Sequence, residues 1–226
     1  VTGRREPVVT IDGPAGAGKS TVAREVARRL GFKLVDTGAL YRALAWAVAQ
    51  AGVDLSDDAA LAAFLARTRV ELADDRVLVN GQDVSDEIRA PEIGMLTSKL
   101  TALPTVREKM TPIQRSLAAA GGIVLEGRDT GSVVCPDAEV KIYLDADLDE
   151  RARRRTDELA ARGMPADYGN VKADLAQRDR QDMEREIAPL RKPAGATTVD
   201  STGVPPEAVV DIILDVVEQA RCCTRS

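Results

Sequence analysis

The chain has 226 residues, 44% hydrophobic and 30% charged. That predicts one domain, or one core with insertions, long enough to bury a sizeable interior. It has no histidine, which excludes Ser-His-Asp and Cys-His nucleophiles, His-ligated zinc and an imidazole base. A formal net charge of −5 argues against sequence-independent binding of a nucleic-acid duplex, whose affinity comes from phosphate neutralisation.

Val8 to Asp12 is a β-branched run that breaks into glycines, and it predicts a strand. Lys19 to Leu30 comes next, with Val22, Ala23, Val26, Ala27 and Leu30 at helical spacing and Gly31 as a stop. Phe32 to Val35 predicts a second strand. Leu40 to Ala51 and Asp58 to Arg67 predict helices, with Thr37 as a candidate cap for the first. The character then changes to a small meander: Val70 to Leu72, a break at Asp74-Asp75, and Val77 to Val79 before Asn80-Gly81.

Pro91 to Leu103 and Thr105 to Ala120 predict helices. Ile123 to Leu125 and Val140 to Leu144 are continuous apolar runs of the buried parallel kind. Residues 149–191 are dense in charge, Thr197 to Val199 predicts a last strand, and Pro205 to Ala220 a last helix. Strands alternating with helices argue an α/β fold with a mostly parallel sheet, carrying insertions near 68–90 and 150–190. Such insertions would lie at the carboxyl ends of strands, where open sheets bind ligands.

No apolar run is long enough to span a membrane, and Val1 to Pro7 lacks the apolar stretch of a signal peptide. The expected compartment is the cytoplasm. Cys135, Cys222 and Cys223 have no metal-ligand spacing and read as reduced, incidental thiols.

Gly13-Pro14-Ala15-Gly16-Ala17-Gly18-Lys19-Ser20 matches the phosphate-binding loop G-x-x-x-x-G-K-[ST], between a predicted strand and a predicted helix. Its backbone N–H groups and the helix N-terminus suit a triphosphate. Lys19 can reach the β- and γ-phosphates, the Ser20 hydroxyl can ligate Mg²⁺, and Thr21 can donate to the α-phosphate. The motif says that a nucleoside triphosphate binds, and leaves its reaction open.

Downstream, Thr37-Gly38-Ala39-Leu40-Tyr41-Arg42 suits a second anion. Glu126, at the end of an apolar strand, is a candidate for the Mg²⁺ shell, with Arg128 and Asp129 beside it. The segment 151–192 carries 11 basic and 8 acidic side chains, among them Arg151, Arg153, Arg154, Arg155, Arg162, Arg178, Arg180 and Arg185. It could supply arginines in cis to a transferring phosphoryl group. Lys19, Arg128, Arg155 and Arg185 are the candidates for that contact.

Ile11 to Thr21, Asp36 to Arg42, Glu126 to Gly131, Lys141 to Ala146, Arg178 to Leu190 and Thr198 to Thr202 together resemble bacterial cytidylate (CMP) kinases, in the family's order. The resemblance implies transfer of the ATP γ-phosphoryl group to CMP or dCMP. It implies a P-loop core (about 6–63, 101–150 and 187–220), a monophosphate-binding insertion (about 64–100) and a mobile arginine-bearing lid (about 151–186). It places Ser98, Arg107 and Asp129 at the cytosine edge and Arg178 and Asp182 at the sugar. Tyr41, Arg42, Arg128 and Arg185 fall at the acceptor phosphate, with Thr37 beside them. It further implies ATP and Mg²⁺ as cofactors and a monomer, while the net charge and the lack of a spanning apolar run predict neither nucleic-acid nor membrane partners.

Two other readings stay open on the residues alone. One is a kinase for another small acceptor, such as UMP, AMP or a hydroxylated metabolite. The other is a nucleotide-dependent switch. That class reads guanine with Asn-Lys-x-Asp, and asparagine occurs here only at Asn80 and Asn170.

Overall fold

The computed structural model describes residues 5–73 and 76–223. The predicted break at Asp74-Asp75 lies outside them. The chain divides into two compact units, residues 1–34 with 118–226, and residues 35–117.

The first unit is built on a parallel sheet. Its strands are β1 (Val8–Asp12), β2 (Lys33–Asp36), β6 (Ile123–Gly127), β7 (Val140–Asp145) and β8 (Thr197–Asp200), in the order β2-β6-β1-β7-β8. The unit boundary falls inside edge strand β2. The pairs β1 with β6, β1 with β7, and β7 with β8 are parallel. In register, Asp12 stands opposite Gly127 on one side and Tyr143 on the other. The carboxyl ends of β1, β6 and β7 therefore lie side by side. Every residue of β1 and β6 is buried, as expected of central strands whose two faces are both covered.

Helix α1 (Lys19–Leu30) buries Val22, Ala23, Val26 and Ala27, and Gly31 ends it in the left-handed conformation with φ 67°. Those four residues join Val9, Ile11, Val124, Ile142 and Leu144 of the sheet in one apolar cluster. Val209, Val210, Ile213 and Val217 of α8 (Pro206–Cys223) complete it. Each large side chain so buried contributes roughly 1.5–3 kcal/mol before conformational entropy is charged. The charge-dense stretch forms α6 (Leu148–Ala161) and α7 (Tyr168–Glu184), which pack on each other through Ala152, Val171 and Leu175.

The second unit holds α2 (Thr37–Ala51), α3 (Asp58–Arg67), an antiparallel meander β3-β4-β5 (Val70–Ala73, Arg76–Val79, Gln82–Asp83), α4 (Pro91–Leu100) and α5 (Pro104–Ala118). Helix α2 starts three residues earlier than its apolar pattern predicts. Its cap is Asp36, whose carboxylate accepts from Ala39 N–H, and not Thr37. Helix α5 runs through Pro112. The segment 64–100 lies wholly inside this unit. No helix among the described residues is long and apolar enough to cross a membrane.

Candidate active site

The phosphate-binding loop leaves β1 at Gly13, which has φ 154° and passes so close to β7 that a Cβ would sit 1.9 Å from the Leu144 carbonyl oxygen. Only glycine fits both demands. The loop ends at Gly18, the α1 N-cap, which lacks a side chain to cap the helix. The first N–H groups of α1 are thus left without a side-chain cap, the arrangement that suits a helix start to an anion. Lys19 is buried, and its Nζ donates to the Pro14 carbonyl at 2.6 Å. Burial, then the nearby Arg128 charge, lowers its pKa to about 7.

Ser20 Oγ donates to Glu126 Oε2 at 3.0 Å. A hydroxyl and a buried carboxylate stand together where β6 ends and α1 begins. Hard oxygen donors of this kind suit Mg²⁺, which takes one or two protein ligands and completes its shell with phosphate and water. Thr21 is exposed on the first turn of α1.

Beyond Glu126, four charged residues form a network. Arg128 Nε donates to Asp182 Oδ2 at 2.9 Å, and Arg185 Nη2 to Asp129 Oδ1 at 3.3 Å. Arg185 also lies 3.8 Å from Asp182. Its side chain is only 7% exposed. It sits at the C-cap of α7, where its Nε bonds the carbonyl of Ala188. Ala188 is held at φ 49°, a left-handed conformation uncommon for alanine. The π-type turn Thr130–Val134, next after Asp129, is fixed by Asp12. Asp12 accepts from Thr130 N–H (2.8 Å), Thr130 Oγ1–H (2.8 Å) and Gly131 N–H (2.7 Å). Burial pushes the Asp12 carboxyl upward, against the pull of those three donors.

The structure thus brings together Lys19, Ser20, Glu126, Arg128, Asp129, Asp182 and Arg185. Arg155 lies elsewhere on α6, 38% exposed and paired with Glu158, and Arg178 is exposed on α7. In the second unit, Thr37 and Tyr41 are buried on α2 and Arg42 pairs with Asp36 at 3.0 Å. The Arg107 guanidinium lies over the Tyr41 ring, 5.8 Å from its centroid. Ser98 is half-buried on α4, and its hydroxyl donates to the Gly94 carbonyl.

Four side chains, Arg151, Arg154, Asp179 and Ser201, hold the loop through contacts that the sequence does not announce. Arg151 and Asp179 bond the main chain of Ala15. Arg154 bonds Ser201 through both its hydroxyl and carbonyl oxygens, while Ser201 Oγ donates to the Ala17 carbonyl. Ser201 thereby joins the phosphate-binding loop to α6. Beside it opens a cleft of about 380 Å³, lined by Gly18, Thr21, Arg154, Ser201, Val204 and Pro205.

The chain matches the cytidylate kinase family model over residues 9–219. It is 47% identical over 220 residues to the cytidylate kinase of Geobacillus kaustophilus (strain HTA426), covering 96% of this chain and 98% of that protein. It is 46% identical over 220 residues to the cytidylate kinase of Pelotomaculum thermopropionicum, covering 95% and 97%. The solved shikimate kinase of Bacteroides thetaiotaomicron superposes with a TM-score of 0.50 at 13% identity, covering 94% of this chain and 98% of that one. That last likeness is one of fold, the α/β fold of P-loop kinases. With the loop, its lysine and the Arg–Asp network in place, the chain belongs to the cytidylate kinase family.

Proposed function

We infer that the protein transfers the γ-phosphoryl group of ATP to CMP or dCMP, giving ADP and CDP or dCDP. The observation that carries this reading is the Arg128–Asp129–Asp182–Arg185 network at the end of β6, in the same unit as the phosphate-binding loop, in a member of this family. The acceptor phosphate is already largely dianionic at pH 7, since its second pKa is about 6. It needs no general base, which agrees with a chain that has no histidine. Catalysis then consists of aligning two phosphates and neutralising the charge between them.

The roles come from chemistry and position. Lys19 meets the β- and γ-phosphates, and the loop of residues 13–21 holds the rest of the triphosphate through the main-chain N–H groups of residues 16–21, since Pro14 has none and that of Ala15 is taken by Asp179. The cleft beside Ser201 takes the nucleoside of ATP, where Val204 and Pro205 offer apolar surface and Arg154 a planar cation. Ser20 and Glu126 would hold Mg²⁺, which when bound supplies positive charge to the β and γ oxygens. Arg128 and Arg185 exchange their carboxylate partners for the acceptor phosphate, with Tyr41 and Arg42 in the same role. Asp129, with Ser98 and Arg107, reads the cytosine edge: a carboxylate accepts from the exocyclic amine, which uracil replaces with an acceptor. Arg178 and Asp182 hold the sugar. Residues 151–186 serve as the lid, and residues 64–100 as the monophosphate-binding insertion. Arg155 reaches the phosphoryl group only if its pair with Glu158 opens. The protein works as a cytoplasmic monomer, without nucleic-acid or membrane partners.

ADP release against CMP, dCMP, UMP, AMP and no acceptor tests the reading, with wild type and Asp129→Ala side by side. Wild type is expected to favour CMP and dCMP over UMP by about 100-fold or more in kcat/KM. Asp129→Ala is expected to lose most of that preference while its KM for ATP stays within about threefold. Equal turnover of CMP and UMP by wild type would overturn the assignment.

A further inference from the structure

Both helices of the charged segment meet on one residue of the phosphate-binding loop. Ala15 N–H donates to Asp179 Oδ1 at 3.2 Å, and Arg151 Nη1 donates to the Ala15 carbonyl at 3.0 Å. The same Nη1 bonds Asp179 Oδ2 at 2.5 Å, and Arg151 Nε bonds the Ala146 carbonyl at 2.9 Å, just past β7. The two side chains are 8% and 10% exposed. The Ala15 methyl packs among Ala152, Val171 and Leu175. Gly16 passes so near that a Cβ would stand 3.2 Å from Arg151 Cβ. Hydrogen bonds, apolar packing and close backbone approach therefore converge on Ala15 and Gly16.

We propose that Arg151 and Asp179 are positioning residues that latch the lid onto the phosphate-binding loop, so that the loop keeps its phosphate-receiving shape only while α6 and α7 are seated. Gly13, Gly16 and Gly18 all have positive φ, and a loop so rich in glycine is costly to order on its own. The pair satisfies both main-chain polar groups of Ala15 and thereby fixes the loop between two of those glycines. Arg151 stands on α6 and Asp179 on α7. If the two helices lift together, the ion pair leaves intact and regains water, and no buried charge is stranded. Ala15 loses both partners in the same event. Seating of the lid and readiness of the ATP site thus become one equilibrium, and ATP is held firmly only when water is shut out.

This rests on reading α6 and α7 as the lid over an ATP site, and the test separates the two claims. Asp179→Asn keeps the shape and one acceptor but removes the charge. Arg151→Lys keeps the charge but loses the fork that serves Ala15, Asp179 and Ala146 at once. In the full chain, mant-ADP dissociation is measured by stopped flow. It is joined by kcat, the two KM values, ATP hydrolysis without acceptor, and the melting temperature.

Asp179→Asn is expected to release mant-ADP about tenfold faster and to lower kcat about 10- to 100-fold. Its ratio of ATP hydrolysis to transfer should rise, with KM for CMP within about threefold. Arg151→Lys should fall between it and wild type. A merely structural pair would lower the melting temperature and leave the hydrolysis ratio and nucleotide release unmoved; that result in both folded variants overturns the latch. If Asp179→Asn does not fold, Arg151→Lys decides. Should wild type phosphorylate no nucleotide, the transfer reading fails, and mant-ADP release still judges the latch.

Discussion

Lys19 is a buried ammonium whose pKa is lowered to about 7, so the affinity for nucleotide should depend on pH in a calculable way. A bound triphosphate surrounds the lysine with negative charge and returns it toward the ordinary value near 10.4. Above pH 7 the ligand-free lysine is largely neutral, so binding must take up a proton, and affinity falls as pH rises. Between pH 6.5 and 8.5 the loss is about 25-fold, or about 1.9 kcal/mol. Titration calorimetry in two buffers of different ionisation enthalpy would measure both the dissociation constant and the proton uptake, which should approach one near pH 8.5. Lys19→Arg keeps a cation that does not titrate. Its profile should be flat over the same range apart from the nucleotide's own phosphate, which titrates near pH 6. A wild-type affinity unchanged from pH 7 to 8.5, without proton uptake, would refute the claim that burial controls this charge. The same shift has a stability consequence of fixed sign. The unfolded chain binds the extra proton between about pH 7 and 10.4, so the ligand-free protein's stability from this site rises through that window, by at most about 1.4 kcal/mol per pH unit.

Two further outcomes are expected. Gly13→Ala forces a methyl into the Leu144 carbonyl at a φ that alanine avoids, and should destabilise the protein by more than about 3 kcal/mol. Thermal melting would then fall by roughly 10 °C, and a change under about 2 °C would contradict the geometry. Asp12→Asn turns an amide donor toward at least one of the three donors that the carboxylate now accepts. It should raise the KM for CMP more than that for ATP, because the turn it loosens adjoins Asp129. It should also flatten the pH dependence of stability. Burial raises the native Asp12 pKa, so the native state holds that proton more tightly than the unfolded chain, and its contribution declines as pH rises above the ordinary carboxylate range. Melting curves of the two proteins from pH 4 to 7 would show the difference.

The motifs at strand ends were legible because strand, turn and helix are contiguous in sequence. Gly13 to Ser20 comes directly after β1, and Glu126 to Asp129 lies at the end of β6; the apolar runs on either side announce them. The meander was legible from Asn80-Gly81, and Asn80 does take a positive φ of 50°. The start of α2 is misplaced by its apolar pattern because Asp36, the last residue of β2, also serves as the helix cap, which leaves the polar Thr37 and Gly38 inside the first turn. The partners of Ala15 could not be read at all. Arg151 and Asp179 lie 136 and 164 residues away from it, and in sequence they look like any other members of a charged helix pair. The eight-residue pattern at the start of the chain reveals which loop forms; what holds it still is supplied by residues with no motif of their own.

The grip on Ala15 has one more consequence. Asp179 and Arg151 bond only main-chain atoms of that residue, which every amino acid but proline offers alike. Its side chain is judged on volume, against Ala152, Val171 and Leu175. Position 15 should therefore accept glycine or serine and exclude branched or aromatic residues, whatever their polarity. The apparent freedom of an "x" in the loop pattern is here a size limit imposed by helices that the pattern does not mention.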